Sequence, residues 1–243
     1  MKKLLYFIPL AALLVVSFAQ ATKPAYSDPL LAGFARSTVA SVADAVDQIT
    51  GQRGYMSHDM RPRVGGAFVG RATTALLKAA PREKATAALS AQHSVAMIDA
   101  AKPGEVGIIV VEDSLDLAGL GGLMATAAKA RGMAGIVLDG GVRDLAEIRS
   151  LGLSVFARSV SPGSSVSRFA SVAKDIPVTC GGISVSPGDI IIAGEDGVVV
   201  VPQTQQNAIL KRAQEIDDRE SKMVPFIKQF KSLTQTVQRF NRI

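Results

Sequence analysis

Between Gly121 and Asp144 the chain reads GGLMATAAKARGMAGIVLDGGVRD, and the two ends of this stretch hold the residues best suited to chemistry. Two glycines precede residues 125–131, a run of good helix formers. An arginine and an aspartate follow residues 133–138, an apolar and β-branched run of strand length. The backbone N–H groups of Gly121, Gly122, Leu123 and Met124, at the start of the helix, carry partial positive charge suited to a carboxylate or phosphate. Arg143 can clamp the same anion in bidentate fashion. Asp144 beside it can ligate a hard divalent cation such as Mg²⁺ or Mn²⁺. The pattern points to joint binding of an anion and a metal. A second reading stands beside it: Asp144 precedes LAEIRSLG and can be the N-cap of that helix, with Arg143 solvated.

The elements that must position these residues are legible as patterns. VGIIVV at 106–111 is apolar without alternation, which suits a strand buried on both faces. Strand, helix and strand in this order predict a right-handed crossover between parallel strands, with ligands gathering beyond their carboxyl ends. Gly140 and Gly141 are expected to turn the chain after the second strand. Upstream, residues 30–49 predict one or two helices, residues 67–77 a strand and residues 85–101 a helix. From Val155 onward the chain is strand-rich with glycine and proline turns, predicting a second sheet or a curled sheet edge. SPGD at 186–189 and EDG at 195–197 are turn chemistry. Residues 204–223 predict a charged helix that Pro225 ends or kinks. On it Glu215, Asp217, Asp218 and Glu220 form a solvated face, any member of which could reach a neighbouring subunit's site.

Other classes of function find little support. Cys180 is the only cysteine, so no intramolecular disulfide forms and the thiol is expected in the core. His58 and His93 are far apart and lack the spacing of a zinc helix. There is no G-x-S-x-G elbow, G-x-G-x-x-G or Walker pattern. The formal net charge of +6 sits partly in residues 211–242 and comes with too few aromatics to argue for nucleic acid. The opening MKKLLYFIPLAALLVVSFAQA joins two lysines, a short apolar core and an Ala-Gln-Ala cleavage site, as in a secretory signal peptide. Its core is short for a bilayer span. The expected organisation is a signal peptide at 1–21, one α/β domain at 22–225 and a basic tail at 226–243. The mature protein is then periplasmic or secreted, with no stable membrane anchor.

Several ordered blocks resemble the RraA-like family, which includes 4-hydroxy-4-methyl-2-oxoglutarate aldolases and regulators of ribonuclease activity. They are SVADAV at 41–46, VGRATT at 69–74, the stretch at 121–144, LGLSVFAR at 151–158, PVTCGGISVSPGD at 177–189 and EDGVVVVP at 195–202. The resemblance implies a compact α/β/β/α-type sandwich with a C-terminal helix. It also implies a homotrimer or a dimer of trimers with sites between subunits. By the same resemblance Arg143 and Asp144 hold the substrate carboxylate and the metal, and Gly121 to Met124 complete the anion pocket. Glu220 is the nearest match for a carboxylate contributed by an adjoining subunit. The family's aldolases carry an acidic residue at the position of Gly122, which a second carboxylate (Asp113 or Asp116) or a water would have to replace.

The implied activity is that of a class II, metal-dependent aldolase. It cleaves 4-hydroxy-4-methyl-2-oxoglutarate-like 2-oxo acids to pyruvate, with oxaloacetate decarboxylation as a second activity and a water, not a histidine, moving the protons. The alternative is an exported, non-catalytic ligand-binding or regulatory protein that keeps the same pocket.

Overall fold

The computed structural model describes residues 26–241, so the expected signal peptide at 1–21 lies outside the described residues. Helices α1 (Pro29–Phe34) and α2 (Val39–Thr50) start on side-chain caps, Asp28 accepting from the Leu30 N–H and Thr38 from the Ser41 N–H. Then come β1 (Arg61–Val64), β2 (Phe68–Ala79), α3 (Ala87–Ala100), β3 (Val106–Val111), β4 (Ala118–Leu120) and α4 (Gly122–Ala130). They are followed by β5 (Gly135–Val142), α5 (Leu145–Leu151), β6 (Val155–Val160), β7 (Phe169–Lys174), β8 (Val178–Cys180) and β9 (Ile183–Val185). The chain closes with β10 (Ile190–Gly194), β11 (Gly197–Val201), α6 (Gln206–Phe230) and α7 (Leu233–Phe240).

One sheet runs in the order β1-β6-β5-β3-β2-β10-β11, with β4 added to β5 and β7 to β2, and β8-β9 form a separate hairpin. The centre is parallel: β2 with β3, β3 with β5, and β5 with β6. The long β2 turns the sheet over, pairing with β10 through Phe68–Arg71 and with β3 from Ala72 onward. The free edge of β11 is met by the chain before β1, the Met56 N–H donating to Val198 and the Val200 N–H to Gly54, each at 2.9 Å. The sheet therefore comes close to closing on itself.

Period-two alternation along the strands sorts the apolar side chains into three cores. Ile109, Val111, Ile136 and Leu138 face α3, α4 and α5. Val106, Ile108, Val110, Val137 and Phe156 face inward against Ile191, Ala193, Val198 and Val200 and the β8-β9 hairpin. Ile190, Ile192, Val199 and Val201 face α1, α2 and α6. The layers are helix, sheet, sheet and helix, as the resemblance implied. VGIIVV lacks alternation because every residue of β3 is buried. Cys180 is fully buried in the middle core, where desolvation pushes its thiol well up, which suits a packing residue and not a nucleophile.

Three local expectations are corrected. Gly140 and Gly141 do not turn the chain but lie within β5, which carries an irregularity between Leu138 and Gly141. The short β4 stands between β3 and α4, so the crossover is more than strand, helix and strand. Of the two outcomes expected at Pro225, an end to the helix is excluded: α6 runs through it to Phe230, Phe226 and Phe230 stack one turn apart on α6, and α7 folds back to set Phe240 against Phe226. Among the described residues no helix is long and apolar enough to cross a membrane.

Candidate functional site

The Arg143–Asp144 pair is placed by strand pairing. β4 lies parallel to β5, with the Gly141 N–H donating to Leu117 at 3.0 Å and the Arg143 N–H to Leu120 at 3.1 Å. This sets the first turn of α4 beside the last residues of β5, at the carboxyl end of the parallel sheet where ligands gather in such folds.

Asp144 holds a left-handed backbone conformation, φ 60° and ψ 37°, which aspartate adopts more readily than most residues. It occupies the N-cap position of α5, but its side chain makes no cap bond there. Its Oδ2 accepts instead from the Gly122 N–H, at 2.9 Å, on the positive end of α4. The capping reading is thus answered: Asp144 caps the helix across the site and not its own. Arg143 Nε lies 3.7 Å from the same Oδ2, and the two side chains are 42% and 43% exposed. With the Gly122 amide engaged, the first-turn amides of Leu123 and Met124, which have no acceptor inside the helix, remain suited to an anion.

Both glycines at the head of α4 are closely approached by side chains of the Arg143–Glu147 segment. A β-carbon on Gly121 would lie 2.8 Å from Asp144 Oδ2 and 3.0 Å from Arg143 Nε. A β-carbon on Gly122 would overlap the Glu147 carboxylate. Glu147 therefore fills the space that an acidic side chain at position 122 would need, and brings its own carboxylate there. The sequence reading missed it. RDLAE carries no signal for it, because Asp144 stands outside α5 in a left-handed conformation and spacing alone does not bring Glu147 to Gly122. Asp113, considered for this part, lines a different cavity with Asp139 and Arg158, and the Asp116 carbonyl accepts from the Ser161 hydroxyl.

Among the described residues there is no cluster of three or more His, Cys, Asp or Glu side chains able to hold a metal. Asp144 and Glu147 both reach Gly122, Asp144 by accepting from its N–H and Glu147 by lying where its β-carbon would be. That donor set fits Mg²⁺ or Mn²⁺, which bind through one or two carboxylates and keep several waters, and not the nitrogen and sulfur set of a structural zinc. Glu220 lies on α6, which packs on α1, α2 and α7 and not on the elements that carry Arg143 and Asp144. Within one chain the fold does not bring it to the site. Leu123, in the first turn of α4, is 87% exposed, an unusual position for a leucine at the mouth of a polar site.

A second charged cluster braces the sheet at a distance from these groups. Arg158 on β6 bridges Asp59 at 2.9 Å and Asp139 on β5 at 3.0 Å, and Asp139 Oδ2 accepts from the Gly181 N–H at 2.7 Å. The hydrogen bond from Arg158 holds the Asp59 carboxyl down at about 2, and the two carboxylates push the guanidinium's own value further up. All three members are paired, as expected of a brace.

The family profile described as aldolase/RraA matches residues 39–200. A protein of Halalkalibacterium halodurans, provisionally named a 4-hydroxy-4-methyl-2-oxoglutarate aldolase, is 32% identical over 114 residues, 46% of this chain and 53% of that protein. The chain spans about half the length of the first curated relatives it matches. Among solved structures, an uncharacterized protein of Pseudomonas syringae pv. tomato superposes with a TM-score of 0.74 at 26% identity, covering 86% of this chain and 96% of that one. Streptomyces coelicolor RraAS2, described as an unusual member of the RNase ES inhibitor RraA family, gives 0.72 at 28% identity, covering 79% and 95%. With the matched region spanning both β5 and the head of α4, the chain belongs to the RraA-like family.

Proposed function

We propose that this chain is a divalent-metal-dependent lyase that breaks a carbon–carbon bond in a 2-oxo acid and releases pyruvate. Its substrates are of the 4-hydroxy-4-methyl-2-oxoglutarate type or oxaloacetate. The observation that carries the reading is the orientation of Asp144, turned away from its own helix to the head of α4, with Arg143 beside it and Glu147 behind. The name of the halodurans relative supports the same class.

Asp144 and Glu147 would hold Mg²⁺ or Mn²⁺. When bound, the ion supplies a Lewis acid for the oxygen on which charge builds as the bond breaks. Arg143 and the amides of Leu123 and Met124 bind and orient the substrate carboxylate. The fixed positive charge of Arg143 also favours the enolate over the ketone without reorganising. No histidine lies among the groups assigned to the site, so a water carries the protons.

The proposed assembly is a homotrimer or a dimer of trimers in which exposed Leu123 meets another copy and Glu220 arrives from an adjoining subunit. Export to the periplasm or the exterior is part of the same proposal, resting on the composition of residues 1–21. A second reading keeps the fold and pocket for non-catalytic ligand binding or regulation, and the structural likeness to RraAS2 favours it.

Pyruvate release from oxaloacetate and from 4-hydroxy-4-methyl-2-oxoglutarate, with Mg²⁺ or Mn²⁺ and with EDTA, separates the two. Release above the metal-only background that EDTA removes supports the lyase. No release while metal is demonstrably bound moves the assignment to the second reading.

A further inference from the structure

Next to the Arg143–Asp144 site lies a small cavity of about 90 Å³ between α3, β4 and the loop at 164–166, and Gly121 and Arg143 line it as well. Its other polar walls are serines, among them Ser90 and Ser94 of α3 and Ser165 of the loop. The two serines of α3 are not equivalent. The Ser90 hydroxyl is committed, within 2.9 Å of the Ala85 carbonyl and 2.6 Å of the Phe169 carbonyl. Ser94, one turn on, is 1% exposed and its hydroxyl has no partner among the described residues. A buried hydroxyl without a partner is costly and calls for an explanation. Here it belongs to a residue that lines a cavity shared with the anion-binding arginine.

The cavity's charge and size define what it can take. Among the described residues its only charged lining residue is Arg143, so it suits an anionic or neutral oxygen-bearing group and not a cation. At roughly 30 Å³ per water-sized group, it admits about three such groups. That matches a carboxylate, and falls short of the branched, six-heavy-atom group that a 4-hydroxy-4-methyl-2-oxoglutarate molecule carries beyond C3.

Resting on the lyase reading above, we propose that this cavity seats the distal carboxylate of a four-carbon 2-oxo dicarboxylic acid. The Ser94 hydroxyl donates to that carboxylate, which makes Ser94 a residue that selects short substrates. In the reaction the C3–C4 bond breaks and C4 leaves as CO₂ into the cavity. The bonding pair becomes the C2–C3 double bond while the C2 carbonyl pair moves onto oxygen. Protonation of C3 by water then gives pyruvate.

The test uses Ser94→Ala and Ser94→Val in the full mature chain, with oxalate as a probe that fills the Arg143–Asp144 site without extending beyond it. Oxalate binding in the presence of Mn²⁺, measured by calorimetry, should be unchanged in both variants. For oxaloacetate, kcat/KM should fall about tenfold in Ser94→Ala, mainly through KM, as for the loss of a hydrogen bond to a charged group. In Ser94→Val, which also fills the cavity, it should fall further. The Ser94→Ala variant should melt no lower than the parent, because the hydroxyl it removes has no partner in the protein. Normal oxalate binding with unchanged KM for oxaloacetate in both variants would overturn the inference and leave the lyase reading standing. Failure of the parent protein both to bind oxalate and to turn over oxaloacetate would overturn the two together.

Discussion

At the scale of single residues, the account turns on a carboxylate that comes from an unexpected position. Glu147 stands where an acidic side chain at position 122 would have reached, and its approach is possible because Gly122 has no side chain. Glu147→Gln should therefore weaken Mn²⁺ binding about 10-fold to 100-fold, the usual effect of removing a group that orients a metal site. Titration of the variant beside the parent by calorimetry checks this, and equal affinities would remove Glu147 from the site. Arg143 and Asp144 were legible in the sequence because an adjacent arginine and aspartate directly after an apolar strand stand out. Glu147 was not, because its nearness to Gly122 depends on the left-handed backbone at Asp144, which sets the direction of α5. LAEIRSLG on its own shows only a helix.

At the scale of elements, the buried strands and most helices could be read from composition and period, since β3 and β10-β11 owe their apolar runs to burial on both faces. The expected turn at Gly140 and Gly141 failed for a tertiary reason. A β-carbon on Gly141 would lie 2.9 Å from the Leu117 carbonyl, so glycine serves the approach of β4 and not a reversal of the chain. Pro225 sits within α6 despite its poor fit to a helix interior, and the contact of Phe226 with Phe240 of α7 accompanies it. The brace of Asp59, Arg158 and Asp139 was invisible in the sequence, as its members are spread over widely separated segments. It makes a prediction about acid stability. The Asp59 carboxyl is held at about 2 against an ordinary 3.8, so the ionised form is favoured by folding. Its contribution is fully present above that ordinary value and is lost as pH falls through it toward 2. Thermal unfolding midpoints should drop over that window in the parent and drop less in Asp59→Asn. Parallel curves would show that the pair does not contribute.

At the scale of the whole molecule, the four layers bury three apolar cores yet leave Leu123 at 87% and Val160 at 52% exposure. Val160 is opposite Val142 in the β5-β6 register, next to Arg143, so both exposed residues flank the site. Two exposed apolar residues beside a polar site are what the proposed subunit contact would cover, and on that proposal Glu220 would come from the neighbouring copy. Leu123→Asp should convert the assembly to monomers by light scattering and lower pyruvate release at least tenfold; an unchanged mass would place the subunit contact elsewhere. The sequence could not show this, because exposure of one leucine in the first turn of a helix depends on what the rest of the chain covers. The most direct test of the central claim is metal-dependent pyruvate release by the parent protein, by Asp144→Asn and by Arg143→Ala. The account predicts release that EDTA abolishes in the parent and that is absent in both variants at matched fold and metal concentration. Undiminished release by Asp144→Asn and Arg143→Ala, or release that survives EDTA, would contradict it.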